Sequence, residues 1–278
     1  MSDVALTARH RRGEGARTHA MGDLALTARQ LRYDQKSFWR NPQYVFFTVI
    51  QPIIFLFIFV SVFGNKTTLV AGHEIKRSTY YVPAIATLAI MSATFFNLTI
   101  SLSRLREQGI LKRIRSTPLP PGMFLAGRIG TSITVSALLV VLLLAIGKLL
   151  YGVSIPTHTL PGLIATVLVG AAALSCLAFA VTAFVPSEDA AAPIVNVIML
   201  PLMFISGIFI PNSEIPAGMQ DVANVFPVKH LFESLLHVFE PTTTGAGFAW
   251  GHLAVIAVWG VAGAAVAIWR FRWTPSGQ

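Results

Sequence analysis

Residues 206–236 read SGIFIPNSEIPAGMQDVANVFPVKHLFESLL, and this stretch decides how the chain meets a membrane. It continues an apolar run and is then broken by three prolines, Pro211, Pro216 and Pro227. The segments Met219–Phe226 and His230–Phe239 carry apolar side chains at helical spacing. Broken backbone at membrane depth is tolerated only where protein or water satisfies its N–H and C=O groups. The stretch therefore predicts a re-entrant or interfacial helical hairpin, wedged between the last two spans.

The same stretch resembles the region before the last span of ABC-2-type permeases, the membrane subunits of bacterial ATP-binding-cassette exporters. The resemblance rests on the ordered pattern S-G-x-F-x-P-x-x-x-x-P, then a helix, then F-P-x-x-H. It implies an all-α integral membrane fold like that of type V exporters. That fold has six transmembrane helices, an N-terminal amphipathic interface helix, a cytoplasmic coupling helix and an extracellular re-entrant hairpin. The residues expected to shape this outer hairpin are Gly207, Pro211, Pro216 and Pro227.

The composition is that of a membrane protein. Hydrophobic residues make up 54% of the 278 residues, and charged residues only 12%, against roughly 25% in soluble domains. One membrane domain fits this length. Because Cys176 is the single cysteine, an intramolecular disulfide framework is excluded. Cys176 lies in an apolar run, which indicates that its side chain packs among apolar neighbours. The first 43 residues contain no apolar segment typical of a signal peptide, so we expect none to be cleaved.

Six apolar runs are each long enough to cross ~30 Å of hydrocarbon, which takes ~20 helical residues. They are Tyr44–Phe63, Tyr80–Leu102, Ile129–Leu150, Pro161–Val185, Ala190–Ile210 and Phe248–Trp269. With this topology, sixteen Lys and Arg residues lie on the side of the termini and five on the other. The net charge of +9 thus follows the positive-inside rule rather than a nucleic-acid surface. We expect a multi-pass protein of the bacterial cell membrane with both termini in the cytoplasm.

The region before the first span divides into two parts. Residues 1–22 are polar and basic and predict a disordered cytoplasmic tail, whereas residues 23–43 predict an amphipathic interface helix ahead of the six-span domain at 44–273. This helix has an apolar side, with Phe38 and Trp39, and should lie in the plane of the membrane surface. The resemblance implies that it also docks a cytosolic partner. Its basic stripe consists of Arg29, Arg32, Lys36 and Arg40.

The loop after the second span reads SRLREQGILKRIRSTPLPPG over residues 103–122. It predicts a turn at Gly109, a short basic helix over Ile110–Arg115 and a stop at Pro118. The alternative is an ordinary positively charged loop. The pattern resembles the coupling segment of ABC-2 permeases, which sits in a groove of the ATPase subunit and transmits its closure. By that resemblance, the contact would be lined by Arg104, Glu107, Gln108, Gly109, Lys112, Arg113, Ser116 and Thr117.

Two absences narrow the function. The chain has no G-x-x-x-x-G-K-[ST] phosphate cradle, so it cannot be the ATPase itself. The resemblance implies a transport subunit and not an enzyme, with no cofactor in this chain. By resemblance, ATP and magnesium would be bound by a separate ATP-binding subunit, present in two copies. The span interiors also contain no Asp, Glu, Lys or Arg, which counts against an ion-coupled carrier because such carriers usually need an intramembrane ionisable group.

Weaker patterns mark a possible substrate path and a possible metal site. The bulky polar residues Gln51, Asn97 and Asn196 lie within spans and suit a path or a subunit interface. Met199, Met203 and Phe204 offer an adaptable apolar surface for a lipophilic substrate, although helix packing alone would also explain them. The set His230, Glu233 and His237 shares one helical side. Without an H-E-x-x-H motif or another clustered acid, we expect it to contact water and headgroups and to bind no metal.

The R-N-P sequence before the first span and Gly64 after it resemble the daunorubicin-resistance branch of the permeases. That branch implies ATP-driven export of amphipathic drugs or lipids. Because six spans cannot enclose a pathway alone, we expect a second permease subunit, identical or a sister chain, surrounded by membrane lipid. The alternative within the family is export of a lipid-linked polysaccharide. From other classes, the alternatives are an ATP-independent carrier or channel and a membrane enzyme such as a metal-dependent protease.

Overall fold

The computed structural model describes residues 32–63, 66–70, 73–116, 121–155, 157–240 and 242–270. The expected tail over 1–22, the start of the interface helix with Arg29, and Thr117 therefore lie outside the described residues. Within the described ranges, six helices are long and apolar enough to cross a membrane, as predicted. The fold is all-α apart from one small hairpin.

The helices follow one another along the chain with short connections. The short helix α1 covers residues 32–39. The six spans are α2 (Pro42–Phe63), α3 (Arg77–Glu107), α5 (Pro121–Tyr151), α6 (Leu160–Thr182), α7 (Glu188–Ile205) and α10 (Trp250–Arg270). The described residues also form the shorter helices α4 (Ile110–Arg115), α8 (Ala217–Ala223) and α9 (Pro227–Phe239).

An antiparallel hairpin of β1 (Thr67–Val70) and β2 (His73–Lys76) joins the first two spans. The sequence analysis did not predict it, because strands of four residues give too short a pattern to distinguish from a loop. Thr68 pairs with Ile75, and both side chains are buried.

The spans differ from their predicted limits mainly at α5 and α7. Helix α5 begins at Pro121, eight residues before the predicted start at Ile129, because the helix continues beyond the apolar run that the prediction followed. Helix α7 ends at Ile205 instead of Ile210, because Gly207 has a φ of 87°, in the left-handed region where a helix cannot continue. The continuation of α3 beyond the predicted span and its turn at Gly109 are as predicted.

Helix α3 is the most buried span and packs against α2, α5, α6 and α9. Helices α6 and α10 pack against each other along a seam of small residues. A Cβ atom added to Gly260 would lie 2.9 Å from Cβ of Ala173, and one added to Gly263 would lie 2.9 Å from the backbone nitrogen of Leu177. Close backbone approach of this kind is how helices pack in a membrane, where lipid is as apolar as the side chains and hydrophobic burial does not favour helix–helix contact over lipid contact.

The stretch that follows α7 forms the predicted broken hairpin, which we call the outer hairpin (residues 206–239). Gly207 leaves no room for a side chain, since an added Cβ would lie 2.2 Å from Oδ1 of Asn212. Pro211 precedes a 3-10 turn at Asn212–Glu214, and Pro216 precedes α8. Pro227 is the first residue of α9 and not a break before a helix at His230, because its fixed φ suits the first helical position.

Helix α9 is packed more deeply than a wedge between the last two spans. Ten of its 13 residues are buried, and it contacts α3, α6, α7 and α10. The contact with α6 is close, because an added Cβ on Gly170 would lie 2.5 Å from a methyl group of Leu231. At the start of α3, the Tyr80 hydroxyl donates a hydrogen bond to the carbonyl oxygen of Gly207 at 2.5 Å. These contacts fasten the outer hairpin to the centre of the bundle.

Candidate substrate groove and coupling segment

A groove of about 990 Å³ lies between α2 and α7, both of which pack against α3. Five of the six residues proposed for a substrate path line it: Gln51, Asn97, Asn196, Met203 and Phe204. Met199 does not line the groove and is buried against the neighbouring helices. On α7, the positions 196, 200 and 203 share the groove side, whereas 195, 199 and 202 share the buried side.

The groove changes character along its length. Most of the polar lining residues lie near the first half of α2, where Phe47 and Phe96 also line the groove. These polar residues are Gln43, Tyr44, Thr48, Gln51, Asn97 and Asn196. Toward the end of α2 the wall is aromatic. There Phe59 and Phe209 stack with ring centroids 5.6 Å apart, and Phe204 contacts Phe209 at 5.1 Å. The sequence analysis missed this wall, although Phe55, Phe59 and Phe63 recur every four residues on α2.

Two π-helical turns contribute to the same groove. One is Phe46–Ile50 in α2 and the other is Ser92–Phe96 in α3. Thr48 and Ser92 from these turns line the groove. π-Helical turns are rare and occur frequently at functional sites, and no sequence pattern would have placed them here.

The short helix predicted for the coupling segment follows the C-terminal end of α3. Gly109 adopts a φ of 69° and joins α3 to the short helix α4. Leu111 is fully buried and anchors α4. The predicted contact residues that are exposed at the surface are Arg104, Glu107, Gln108, Lys112, Arg113 and Ser116. α4 is therefore a compact, basic, outward-facing helix on a rigid connection.

Two adjacent residues at the end of α3 bind the link between α6 and α7, and we call this contact the α3 clamp (Arg106 and Glu107). The Arg106 side chain is 3% exposed and donates hydrogen bonds to the carbonyl oxygens of Thr182, at 2.8 Å, and Val185. The Glu107 carboxylate accepts a hydrogen bond from the backbone N–H of Glu188. A cation thus meets the C-terminal end of α6 and an anion meets the N-terminal end of α7, each matching the helix dipole.

The clamp alters the role assigned to Glu107. The sequence analysis placed it in the contact with an ATPase, whereas the structure engages its carboxylate within the chain. Arg106 was not singled out at all, since nothing in its local sequence separates it from the other basic residues of the loop. Ser187 completes the α6–α7 link, because its hydroxyl caps α7 by accepting from the N–H of Ala190 at 3.3 Å.

Comparison with known proteins decides the family. Residues 24–239 match the model of the ABC-2 type transporter family. The chain belongs to this family. It is 23% identical over 199 residues to YvfS of Bacillus subtilis, covering 71% of this chain and 78% of YvfS. It is 19% identical over 211 residues to the inner membrane transport permease YadH of Escherichia coli, covering 73% and 82%. Nodulation protein J of Rhizobium leguminosarum is 27% identical over 191 residues, covering 65% and 68%.

Membership of the ABC-2 family makes this chain a multi-pass transport permease rather than an enzyme. The family also implies a partner that binds ATP. The groove is lined by α3 residues from Leu88 to Ile100, and the predicted coupling segment follows the end of the same helix at Glu107.

The described part of the permease's interface helix, α1, docks onto α5. Arg32, Lys36 and Arg40 are exposed, as a basic surface stripe requires. The side that faces the protein consists of Asp34 and Phe38, and Oδ1 of Asp34 lies 3.6 Å from Nε of Arg128. Trp39, which was expected on the apolar side with Phe38, is exposed, because one turn of helix separates Asp34 from Phe38 and leaves position 39 at the edge.

The outer hairpin of the permease holds a cluster of ionisable groups. His230 and Glu233 of α9 lie beside His252 of α10, and their ligand atoms are all within 4.8 Å of one another. His237, which the sequence analysis grouped with His230 and Glu233, lies apart and places its Nδ1 3.1 Å from Oε2 of Glu240. The fold thus replaces the third member of the set with a residue from another helix.

Proposed function

We propose that the permease is the membrane subunit of an ATP-driven exporter that moves an amphipathic drug or lipid-like substrate out of the cytoplasm or the inner leaflet. The observation that carries this proposal is the groove between α2 and α7, whose polar residues are concentrated toward one end and whose other end is aromatic. Its volume of about 990 Å³ is at the upper end of the range for ligand pockets, roughly 300–1,000 Å³. This gradient matches a substrate with a polar head and an apolar body.

The aromatic wall also favours the drug or lipid over the lipid-linked polysaccharide. Its stacked rings belong to phenylalanine, as in the contacts of Phe59 and Phe204 with Phe209. Phenylalanine offers no hydroxyl or indole N–H to a sugar, whereas it packs well against acyl chains and drug rings. This is the branch of the family whose members the R-N-P entry and Gly64 resemble.

A second permease subunit would close the groove. Asn196 is exposed on α7, and the apolar side chains of Phe47, Leu200 and Phe204 around the groove are exposed too. A polar amide facing hydrocarbon is unfavourable, so in a membrane this side of α7 should face protein or a water-filled path. Two copies, or this chain and a sister chain, would bring their grooves together around one pathway.

The ATP-binding subunits, two in number, would bind α4 from the cytoplasm and would hold the ATP and magnesium. The charge count supports a cytoplasmic position for both termini and α4, and the basic side chains of Lys112 and Arg113 are exposed on that helix. Closure of the ATPase would move α4, and α3 with its clamp would carry this movement to α6 and α7. The groove wall on α7 would then shift, and the outer hairpin would act as the outer gate.

The first experiment tests the ATPase contact by co-purification with a candidate ATP-binding subunit encoded beside this chain's gene. Arg113→Glu reverses an exposed charge on α4 and should abolish co-purification. Lys148→Glu, a matched charge reversal at the opposite end of α5, should leave it intact. Arg113 is a better choice than Glu107, because Glu107 also holds α7. If the unmodified chain and both variants retain the ATP-binding subunit equally, the contact does not involve α4.

The second experiment measures ATP-dependent movement of a fluorescent phospholipid in proteoliposomes that contain both subunits. Phe59→Ala removes a ring from the groove wall and should lower the transport rate at least tenfold. Phe46→Ala removes an exposed ring from the same helix outside the groove and should leave the rate unchanged. Transport without nucleotide or without the ATP-binding subunit would overturn the proposal in favour of an ATP-independent carrier.

A further inference from the structure

The strongest unassigned feature is the cluster of His230, Glu233 and His252, where the outer hairpin meets the last span. Nδ1 of His230 lies 2.8 Å from Nδ1 of His252, and Oε2 of Glu233 lies 3.5 Å from the latter atom. All three side chains are partly exposed, with 36% of His252 and 22% of Glu233 accessible. An ion from the aqueous phase can therefore reach the cluster without any opening of the bundle.

The hydrogen bonds around His230 define which nitrogen is available. Its Nε2 lies 2.7 Å from the carbonyl oxygen of Asn224, which can only accept, so Nε2 carries a proton. The neutral ring then has its lone pair on Nδ1, directed at His252. A ligating histidine in proteins commonly donates its other N–H to a backbone carbonyl in this way. His230 is therefore held in the tautomer that a metal ligand needs.

The carboxylate of Glu233 is also oriented. Its Oε1 accepts a hydrogen bond from Nδ2 of Asn212 at 3.2 Å and lies 3.7 Å from Nζ of Lys229. Its other oxygen, Oε2, faces His252. One oxygen is thus held by the hairpin itself while the other faces the two imidazoles, an arrangement typical of a supported ligand.

From these contacts we propose that His230, Glu233 and His252 bind one zinc ion, which fastens the outer hairpin to α10. Two imidazoles and one carboxylate are a ligand set that zinc takes, with a water molecule as the fourth ligand. Tetrahedral ligands at zinc–nitrogen distances of about 2.1 Å are about 3.4 Å apart. The two Nδ1 atoms are now 2.8 Å apart, with the proton between them on His252. When zinc binds both, they would separate by about 0.6 Å, and the neutral ring of His252 would carry its proton on Nε2 instead.

This proposal reverses the expectation of no metal, and its reason is His252. The sequence set of His230, Glu233 and His237 lacked a third ligand in reach, and His252 lies 22 residues after His230, on a different helix. The neighbouring ammonium of Lys229 repels a cation and lowers the affinity, so it is a built-in means of weakening the site. The proposal depends on the hairpin geometry and is independent of the substrate and of the ATPase.

The test is a titration of the purified full-length chain with zinc chloride, after removal of metal with a chelator, in competition with a fluorescent zinc indicator. We expect one zinc ion per chain. His252→Gln and Glu233→Gln should each weaken binding roughly tenfold or more, since each removes a ligand. His237→Gln is the matched control on the same helix and should bind like the unmodified chain. Zinc should raise the Tm of the unmodified chain and of His237→Gln, but not that of His252→Gln.

Two results would overturn the proposal: no stoichiometric zinc on the unmodified chain, or equal binding by the unmodified chain and both ligand variants. Lys229→Met gives a test that does not depend on whether the ligand variants fold. Removing its ammonium should tighten zinc binding, because the charge that opposes the ion is gone and Oε1 of Glu233 loses a competing partner. Unchanged or weaker binding in Lys229→Met would contradict the site.

Discussion

Arg106→Met tests whether the α3 clamp holds the bundle together. Methionine keeps most of the buried aliphatic volume and removes the guanidinium that donates to the carbonyl oxygens of Thr182 and Val185. Each hydrogen bond to a charged group contributes about 1.5–3 kcal/mol net, so the loss of two predicts a cost of about 3–6 kcal/mol in the free energy of unfolding. The site is 3% exposed, so water replaces little of this.

The matched control is Arg104→Met, two residues earlier on the same helix. The Arg104 side chain is 47% exposed, and its Nε lies 3.6 Å from Oε1 of Glu188. Exposed ion pairs contribute about 0.2–1 kcal/mol, so this variant should lose no more than that. Both free energies can be measured by unfolding the purified chain in mixed micelles with increasing dodecyl sulfate. Equal costs for the two variants, within about 0.5 kcal/mol, would refute the assignment of the clamp.

Three further predictions concern the outer hairpin and the coupling route. Gly207→Ala should lower the free energy of unfolding by about 2 kcal/mol or more in the same assay, because φ is 87° and the new methyl group would meet Asn212. Gly218→Ala in α8 is the control: its methyl group would enter open space, so it should be neutral or stabilising by up to about 1 kcal/mol. Tyr80→Phe should cost about 1–2 kcal/mol, since it leaves the carbonyl oxygen of Gly207 without its donor. Glu107→Ala should keep the ATP-binding subunit in co-purification but slow transport several-fold, because the backbone N–H of Glu188 loses its acceptor and the α3 clamp is weakened.

Each of these predictions has a contradicting outcome. Equal stability of the two alanine-for-glycine variants would mean that the turn after α7 can relax. Full stability of Tyr80→Phe would mean that water reaches the carbonyl it leaves. Loss of the ATP-binding subunit in Glu107→Ala would return that residue to the intersubunit contact that the sequence suggested.

Long local patterns were enough to predict the spans and the short helix α4. The apolar runs, the left-handed turn at Gly109 and the three prolines of the outer hairpin act through the backbone of their own segment, so the sequence carries the information directly. For the same reason, the ends of the helices were predicted less accurately than their presence. A helix continues as long as its hydrogen bonds do, and α5 therefore begins well before its apolar run.

Contacts between distant segments could not be predicted in the same way. Arg106 is 76 residues from Thr182, and its role depends on how α3 packs against α6. Asp34 and Arg128 form a pair across α1 and α5 that no local pattern marks. On α7, Met203 lines the groove and Met199 does not, and helical spacing predicts this difference only once it is known which side of α7 faces the groove. In each case the missing information was which side of a helix faces which neighbour.

The seam of Gly260 and Gly263 on α10 has a consequence for measuring motion in this permease. Backbones in such close contact cannot slide past one another without separating, so α6 and α10 should keep a constant distance through a transport cycle. A pair of spin labels on these two helices would then serve as an internal ruler. Changes measured from that ruler to α2 or α7 would report movement of the groove walls rather than tumbling of the whole subunit.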